Sequence, residues 1–161
     1  MKTILEKNIP NIQASTQCAK QIYEDFLKKE KNFTLFLEGG LGAGKTFFIR
    51  ELLRCFGVKQ EIPSPTYVFL AEYEVPHPNP LPKGEGVHRF AHFDFYRLKS
   101  PHEFFARGFA DIAADNTISK YIEWPDKVSD EIRRSFSGTR FTLHIEYGIG
   151  VGMRKIKLLQ G

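Results

Sequence analysis

The sequence predicts an α/β fold, a three-layer sandwich built on a mostly parallel sheet with an antiparallel hairpin at its C-terminal end. In the first half of the chain, short apolar runs of strand length alternate with segments whose apolar residues recur at helical spacing. Near the end, residues 140–147 and 154–159 have the pattern of two strands around the glycine-rich turn 148–152. The length of 161 residues suits a single domain over 1–161.

The first three elements are predicted by local patterns. Residues 15–27 carry apolar side chains on one helical face, with Ser15 or Thr16 as the N-cap. Residues 33–37 form an apolar run short enough for a buried strand. Residues 45–56 return to helical spacing, and a glycine follows as the stop signal.

Prolines divide the middle of the chain. Two of them interrupt residues 62–65, after which residues 66–73 and 89–96 are predicted to be strands. The stretch 76–86 between them holds four prolines and two glycines, which excludes a central strand or helix. We expect an exposed surface-loop insertion there. A proline-rich docking site is the alternative.

Two further elements complete the prediction. Ser100 and Glu103 form a capping box around Pro101, which predicts a helix over about 101–105. Gly108 is expected to interrupt that helix. Residues 118–124 are predicted to be a short buried strand.

Composition limits the class of protein. The net charge of +4 and the pI of about 9.0 permit an anionic partner but do not indicate one, because a solvated lysine-rich surface explains them equally well. Cys18 and Cys55 lack neighbours at ligand spacing, so we expect neither a disulfide nor a zinc site. No apolar run approaches the roughly 18–20 residues of a membrane span, and the start of the chain lacks a signal-peptide core. We therefore expect a cytoplasmic protein without membrane contact.

One motif carries most of the functional signal. Residues 39–46 match the pattern G-x-x-x-x-G-K-[ST] in full. Glycines let the backbone curl until its N–H groups surround phosphate oxygens, and the following helix presents its positive N-terminal end to the same phosphates. Lys45 is expected to reach the β- and γ-phosphates, and Thr46 to ligate Mg²⁺. The motif predicts a P-loop NTPase-like fold that binds a nucleoside triphosphate with Mg²⁺.

Turnover of a nucleotide needs carboxylates near the metal, and two are candidates. Asp94 and Glu123 each follow an apolar strand, and ligands of α/β sheets bind outside the carboxyl ends of the parallel strands. Each is equally well explained, taken singly, as a strand-end carboxylate. Thr66 is a candidate sensor hydroxyl, although spacing alone favours a turn or strand-start residue.

Four other side chains have two interpretations each. His92 is either a general base or, more commonly for such a position, a core or turn histidine. Trp124 either stacks on a base or fills the core. Arg97 and Arg107 either contact phosphate or tRNA or are simply solvated, which is the commoner case.

Four separated blocks, at 41–46, 64–67, 92–98 and 122–125, together resemble the TsaE family. Members of that family are small bacterial P-loop ATPases that act in making the threonylcarbamoyl modification of adenosine in tRNA. The first block is shared by many NTPases, whereas the other three at these spacings are much more specific. With the N-terminal helix and the C-terminal hairpin, the resemblance covers nearly the whole chain.

The resemblance implies a set of roles. Thr46 and Glu123 would coordinate Mg²⁺, Asp94 would act near the γ-phosphate or its water, and Thr66 would lie in a mobile switch segment. Trp124 matches a tryptophan beside the metal ligand. Lys45, Asp94 and Glu123 are thus the expected catalytic residues. The expected ATP contacts lie in the loop, at the start of the next helix and in the last strand: Gly39, Gly42, Ala43, Gly44, Lys45, Thr46, Phe47 and Arg154.

The chain also departs from the family pattern. Gly40 stands where an acidic residue is usual, and Phe47 stands where a second threonine or serine is usual. Phe47 removes a hydroxyl near the α-phosphate, so we expect weaker nucleotide affinity. Residues 104–107 are less acidic than usual, and the insertion at 76–86 has no counterpart.

Three functions follow as hypotheses. The first is an ATPase subunit that binds a TsaD–TsaB pair and resets it by ATP hydrolysis, touching tRNA indirectly or weakly. The second is a small-molecule kinase that uses the same loop, and the third is a nucleotide-gated binding module without catalysis. The family blocks favour the first, and only the family indicates ATP over GTP.

Overall fold

The computed structural model describes residues 1–76 and 86–161. The strands are β1 (Lys2–Ile9), β2 (Phe33–Glu38), β3 (Leu70–Pro76), β4 (Val87–Asp94), β5 (Ile118–Glu123), β6 (Thr139–Tyr147) and β7 (Arg154–Gln160). The α-helices are α1 (Ile12–Asp25), α2 (Lys45–Cys55), α3 (Pro101–Ala106), α4 (Phe109–Ala114) and α5 (Asp130–Ser135). Apart from its two end residues, the predicted insertion at 76–86 lies outside the described residues.

The strands form one sheet in the order β1-β7-β6-β2-β5-β4-β3. The four central strands β6, β2, β5 and β4 are mutually parallel, whereas β7 and β1 at one edge and β3 at the other pair antiparallel. The predicted parallel sheet and C-terminal hairpin are therefore confirmed. The antiparallel strand at the β3 edge adds a second flank.

Helices cover both faces of this sheet. Leu35 and Leu37 of β2 pack in a core with α1 and α2, and Phe36 packs on the opposite face with α3, α4 and α5. Successive side chains of a strand point to opposite faces, so a strand buried on both sides is apolar at every position. This arrangement confirms the three-layer sandwich.

The first helix begins one turn earlier than predicted. Asn11 is the N-cap, and its side chain accepts a hydrogen bond from the amide of Ala14 at 2.9 Å. Ser15, predicted as a possible cap, lies within the helix, and its hydroxyl donates to the carbonyl of Asn11 at 3.3 Å. The prediction of Ser15 or Thr16 as the N-cap was wrong because the polar residue nearer to Pro10 already satisfies the first-turn amides.

The predicted strand 66–73 is a strand only from Leu70. The amide of Phe69 donates to the carbonyl of Pro65 at 2.6 Å, and Phe69 has a φ of 68°. A backbone bonded to itself in this way cannot join the ladder. The next strand ends at Asp94 rather than at residue 96, because the chain turns where the Asp94 side chain accepts the amide of Tyr96.

β1, α4 and α5 had no sequence prediction of their own. β1 is an edge strand whose side chains are mostly exposed, so it shows no clear alternation. α5 has only six residues, with Ser129 as its N-cap. Cys18 is buried and Cys55 is partly buried, and both are free. Among the described residues, no helix is long and apolar enough to cross a membrane.

Candidate functional site

The loop 39–44 joins the end of β2 to the start of α2, and its shape depends on glycine. Gly39, Gly42 and Gly44 have φ values of 155°, 73° and 112°, which other residues rarely adopt. A Cβ on Gly39 would also lie 2.4 Å from the carbonyl oxygen of Ile145. α2 then begins at Lys45 without a side-chain cap. Its first-turn amides are therefore available to a ligand at the positive end of the helix.

Lys45 lies beneath this loop. Its Nζ donates to the carbonyl oxygens of Gly39 and Gly40 at 2.7 and 2.9 Å, and it lies 3.6 Å from the centroid of the Trp124 ring. Burial lowers the pKa of the Lys45 ammonium, and the carboxylates of Glu123 and Asp94 act in the opposite direction. The sequence motif thus places a partly desolvated cation against the loop 39–44.

The two candidate carboxylates are neighbours. Parallel pairing sets Asp94 opposite Glu123 at the carboxyl ends of β4 and β5. Both are about 2% exposed. The Thr46 hydroxyl donates to the Glu123 carboxylate, with Oγ1 at 2.8 and 2.9 Å from its two oxygens. Residues from α2, β4 and β5 therefore converge, as expected for the carboxyl edge of a parallel sheet.

His92 lies behind Glu123 and does not line the cavity between the loop 39–44 and the ends of β4 and β5. Its Nε2 is 2.9 Å from Oε1 of Glu123, and the side chain is fully buried. Its Nδ1 has no hydrogen-bond partner within residues 1–76 and 86–161. Such a contact fits the tautomer that carries its hydrogen on Nε2 and donates it to the carboxylate. The geometry favours the core interpretation of His92 over the general-base one.

Asp94 is held by hydrogen bonds on both of its oxygens. Thr66 Oγ1 donates to Oδ2, and the amide of Tyr96 donates to Oδ1 at 2.9 Å. Ser64 Oγ lies 2.8 Å from Thr66 Oγ1 and extends the network. These contacts tie the segment 62–69 to the end of β4.

A cavity of about 360 Å³ opens between these elements. Its walls contain most of the residues predicted for the site: Gly42, Gly44, Lys45, Thr46, Phe47, Thr66, Asp94, Glu123 and Trp124. Leu41, Ser64 and Tyr96 also line it and had no predicted role. Tyr96 lies beside Trp124, with ring centroids 4.9 Å apart, and its position two residues after Asp94 was the available signal.

The remaining predicted residues lie elsewhere. Gly39 and Ala43 belong to the loop but do not line the cavity, and Arg154 contacts the loop from its other side. Arg97 lies over the ring of Tyr67 at 4.4 Å. Arg107 lies over the ring of Phe69 at 4.2 Å and pairs with Glu103. Both arginines are thus occupied by neighbouring side chains.

The donor set fits Mg²⁺. Thr46 and Glu123 offer a hydroxyl and a carboxylate, the oxygen ligands that this ion prefers. In the described parts of the chain, no three His, Cys, Asp or Glu side chains form a metal-holding group. An ion bound by one or two protein ligands, with phosphates and waters completing its shell, does not need one.

Known proteins are similar to this chain in sequence. A family model described as "Threonylcarbamoyl adenosine biosynthesis protein TsaE" matches residues 9–154. The tRNA threonylcarbamoyladenosine biosynthesis protein TsaE of Rickettsia typhi is 36% identical over 117 residues, 72% of either chain. The protein of that name from Haemophilus influenzae is 34% identical over 125 residues, 76% of this chain and 72% of the relative.

A solved structure confirms the predicted fold class. The crystal structure of YdiB from Bacillus subtilis superimposes with a TM-score of 0.63, covering 98% of this chain and 86% of that one. At 22% sequence identity, this likeness concerns the fold alone.

Proposed function

The chain belongs to the TsaE family of threonylcarbamoyl adenosine biosynthesis proteins, and we propose that it supports this tRNA modification as a Mg²⁺-dependent ATPase. In this proposal it binds a TsaD–TsaB-like transferase pair and resets the pair by hydrolysing ATP. It touches tRNA indirectly or weakly. The observation that carries the proposal is the convergence of Thr46, Glu123 and Asp94 on one cavity beside Lys45.

Binding of the nucleotide phosphates is assigned to the loop 39–44 and the start of α2. The amides of this region and the helix N-terminus favour an anion, and Lys45 adds a positive charge at the same place. Its Nζ currently bonds to two loop carbonyls, at Gly39 and Gly40. Because its side chain is long and flexible, the ammonium can exchange these carbonyls for phosphate oxygens.

The metal site is assigned to Thr46 and Glu123. When bound there, Mg²⁺ neutralises negative charge on the phosphates. The bond from Thr46 to Glu123 already brings the two ligands together. His92 holds the carboxylate from behind, so its orientation is fixed before any ligand arrives.

Asp94 is assigned to the attacking water. Its oxygens accept hydrogen bonds from Thr66 and Tyr96, which fix the carboxylate at the cavity wall. A carboxylate oxygen has room for a second hydrogen bond, so Asp94 can still accept one from a water molecule. Orientation of that water is the step that hydrolysis needs from the protein.

The whole chain is assigned to one domain over 1–161, with 76–86 as a surface insertion. Support comes from the single sheet, whose strands begin at Lys2 and end at Gln160. The strands on either side of the insertion pair with each other from Pro76 and Val87 onward. An insertion between paired strands leaves the ladder intact.

The direct test measures threonylcarbamoyladenosine formation on tRNA with the TsaD–TsaB pair and ATP. We expect the wild type to stimulate modification, and Lys45→Ala and Glu123→Ala to abolish the stimulation. Lys28→Ala and Glu24→Ala remove the same charges from an exposed ion pair between the last turn of α1 and the residues just after it, and serve as matched controls. Both controls are expected to behave as wild type.

Two results would overturn the proposal. One is a wild-type protein that gives no ATP-dependent stimulation. The other is transfer of the γ-phosphate to a metabolite instead of its release as free phosphate, which would support the kinase hypothesis.

A further inference from the structure

The C-terminal hairpin, formed by β6 and β7, contacts loop 39–44 through Tyr147 and Arg154. This loop is called the phosphate loop, and the hairpin lies on its outer side, away from the cavity. From these contacts we propose that the two residues are positioning residues that hold the loop in its ligand-binding shape. We call them the bracket. The proposal rests on the proposed nucleotide-binding function of the loop, and it assigns neither residue a contact with the nucleotide.

Three hydrogen bonds join the bracket to the loop. The Tyr147 hydroxyl donates to the carbonyl of Leu41. Arg154 donates from Nε to the carbonyl of Ala43 at 3.0 Å and from Nη2 to that of Gly42 at 3.4 Å. The hairpin register pairs Tyr147 with Arg154 across the two strands, and the guanidinium lies 4.4 Å from the Tyr147 ring centroid. Each bracket residue thus supports the position of the other.

Peptide geometry explains what these bonds do. The carbonyl and the N–H of a trans peptide point in opposite directions, and the described chain has no cis peptide bond. The Leu41 and Ala43 carbonyls are held on the hairpin side. The amides of Gly42 and Gly44, which share those two peptides, therefore face away from the hairpin. Both glycines line the cavity on that other side.

The fit of the loop against the hairpin is close. A Cβ on Gly42 would lie 3.1 Å from the Tyr147 hydroxyl oxygen, and one on Gly40 would lie 3.7 Å from the Tyr147 ring. The carbonyls of Gly39 and Gly40 are held separately by Lys45. The carbonyls of Leu41, Gly42 and Ala43 are thus held by the hairpin alone, so they remain bound when Lys45 exchanges its two carbonyls for phosphate oxygens.

This assignment differs from a direct contact between Arg154 and the nucleotide. Each nitrogen of the guanidinium donates to a backbone carbonyl, the third being that of Met153 at 2.9 Å from Nη1. A direct contact would matter only when nucleotide is present. A bracket orders the loop in the free protein as well.

The test compares Tyr147→Phe and Arg154→Met with the wild type. Lys155→Met is the matched control, because Lys155 neighbours Arg154 but pairs with Glu6. Three measurements are made: the Kd for ADP, amide hydrogen exchange of residues 41–46 in the nucleotide-free protein, and the kcat and KM of ATP hydrolysis. Loss of a hydrogen bond of ordinary strength predicts a Kd that is about 3- to 10-fold weaker for each bracket variant. Exchange in the free loop should be faster, and kcat should change less than KM.

Each outcome decides the proposal. Unchanged loop exchange and unchanged Kd in Tyr147→Phe would overturn it. Weaker binding by Arg154→Met without faster exchange of the free loop would also overturn it and would indicate direct contact with the nucleotide. Tyr147→Phe removes one exposed oxygen, so it keeps the test available if Arg154→Met does not fold. A wild type that binds no nucleotide contradicts the proposed function, whereas the exchange measurement still tests the bracket.

Discussion

At the scale of single residues, the site combines groups that are costly to bury with partners that offset the cost. Glu123 is almost fully buried, yet it accepts hydrogen bonds from Thr46 and His92. Trp124, the next residue, has a φ of 58°, a conformation that costs a non-glycine residue about 1–3 kcal/mol. Its ring contacts Lys45, so the strained residue lies directly at the candidate site.

The contact between His92 and Glu123 predicts a stability effect. His92→Leu leaves a buried carboxylate with one donor fewer, so we expect the free energy of unfolding to fall by about 1–3 kcal/mol. Urea unfolding measures it. His144→Leu is the control, because His144 pairs with a carboxylate in a half-exposed position, where loss of such a pair costs about 0–1 kcal/mol. Equal effects of the two substitutions would contradict this account of His92.

Lys120 predicts a pH dependence of stability. Its side chain is fully buried, donates to Ser137 Oγ at 2.6 Å and to the carbonyl of Asp115, and burial lowers its pKa from 10.5 to about 8. Between these values the folded protein has lost the proton while the unfolded chain still holds it. The free energy of unfolding therefore rises with pH across this window. Below about pH 8 Lys120 is protonated in both the folded and the unfolded state, so its contribution no longer changes with pH.

The check for Lys120 is the difference in unfolding free energy between the wild type and Lys120→Met, measured by urea unfolding at several pH values. The wild-type value should rise relative to that of Lys120→Met as the pH increases from about 8 to 10.5. A constant difference across this window would contradict the assignment.

At the scale of elements, regular patterns were predictable from the sequence and irregular ones were not. β2, α2 and the strands of the hairpin follow from apolar spacing and glycine stops, because their burial is strong and periodic. The segment 66–69 has the composition of a strand but turns back on itself through the bond from Phe69 to Pro65. β1 lies at an edge, where burial leaves little pattern in the sequence.

The candidate site was largely predictable for a similar reason. The loop motif and the strand-end carboxylates follow from local sequence, since phosphate binding needs glycine and parallel strands end at one edge. The place of Arg154 behind the loop depends on how the hairpin packs across the sheet. The role of His92 depends on its facing Glu123 from the neighbouring strand. The spacing of residues along the chain predicts neither of these two contacts.

The start of α1 provides a prediction at this scale. Asn11→Ala removes the cap that accepts the amide of Ala14, so it should lower the free energy of unfolding by about 0.5–2 kcal/mol. Ser15→Ala is the comparison, because Ser15 donates to a helix carbonyl and caps no amide. Thermal or urea unfolding would measure both. A larger loss for Ser15→Ala would contradict the observed helix start.

At the scale of the whole molecule, the sheet topology brings the site together. β2 is paired with β5, and β5 with β4, all parallel, so the loop after β2 and the carboxylates of β4 and β5 meet at one edge. The antiparallel hairpin on the other side of β2 brings its turn end to the outer face of the loop. One sheet thus brings the two candidate carboxylates and the proposed bracket to the loop 39–44.

Asp94 is proposed to act in hydrolysis and not in nucleotide binding. The most direct measurement compares Mg²⁺-dependent ATP affinity and single-turnover hydrolysis of the wild type and Asp94→Asn in the presence of the TsaD–TsaB pair. Asparagine can still accept the Tyr96 amide and donate to the Thr66 oxygen, so the fold of the site should persist. We expect Asp94→Asn to bind ATP with an affinity within about 3-fold of wild type and to hydrolyse it more slowly by about 100-fold or more. Hydrolysis at the wild-type rate by Asp94→Asn would exclude this role of Asp94.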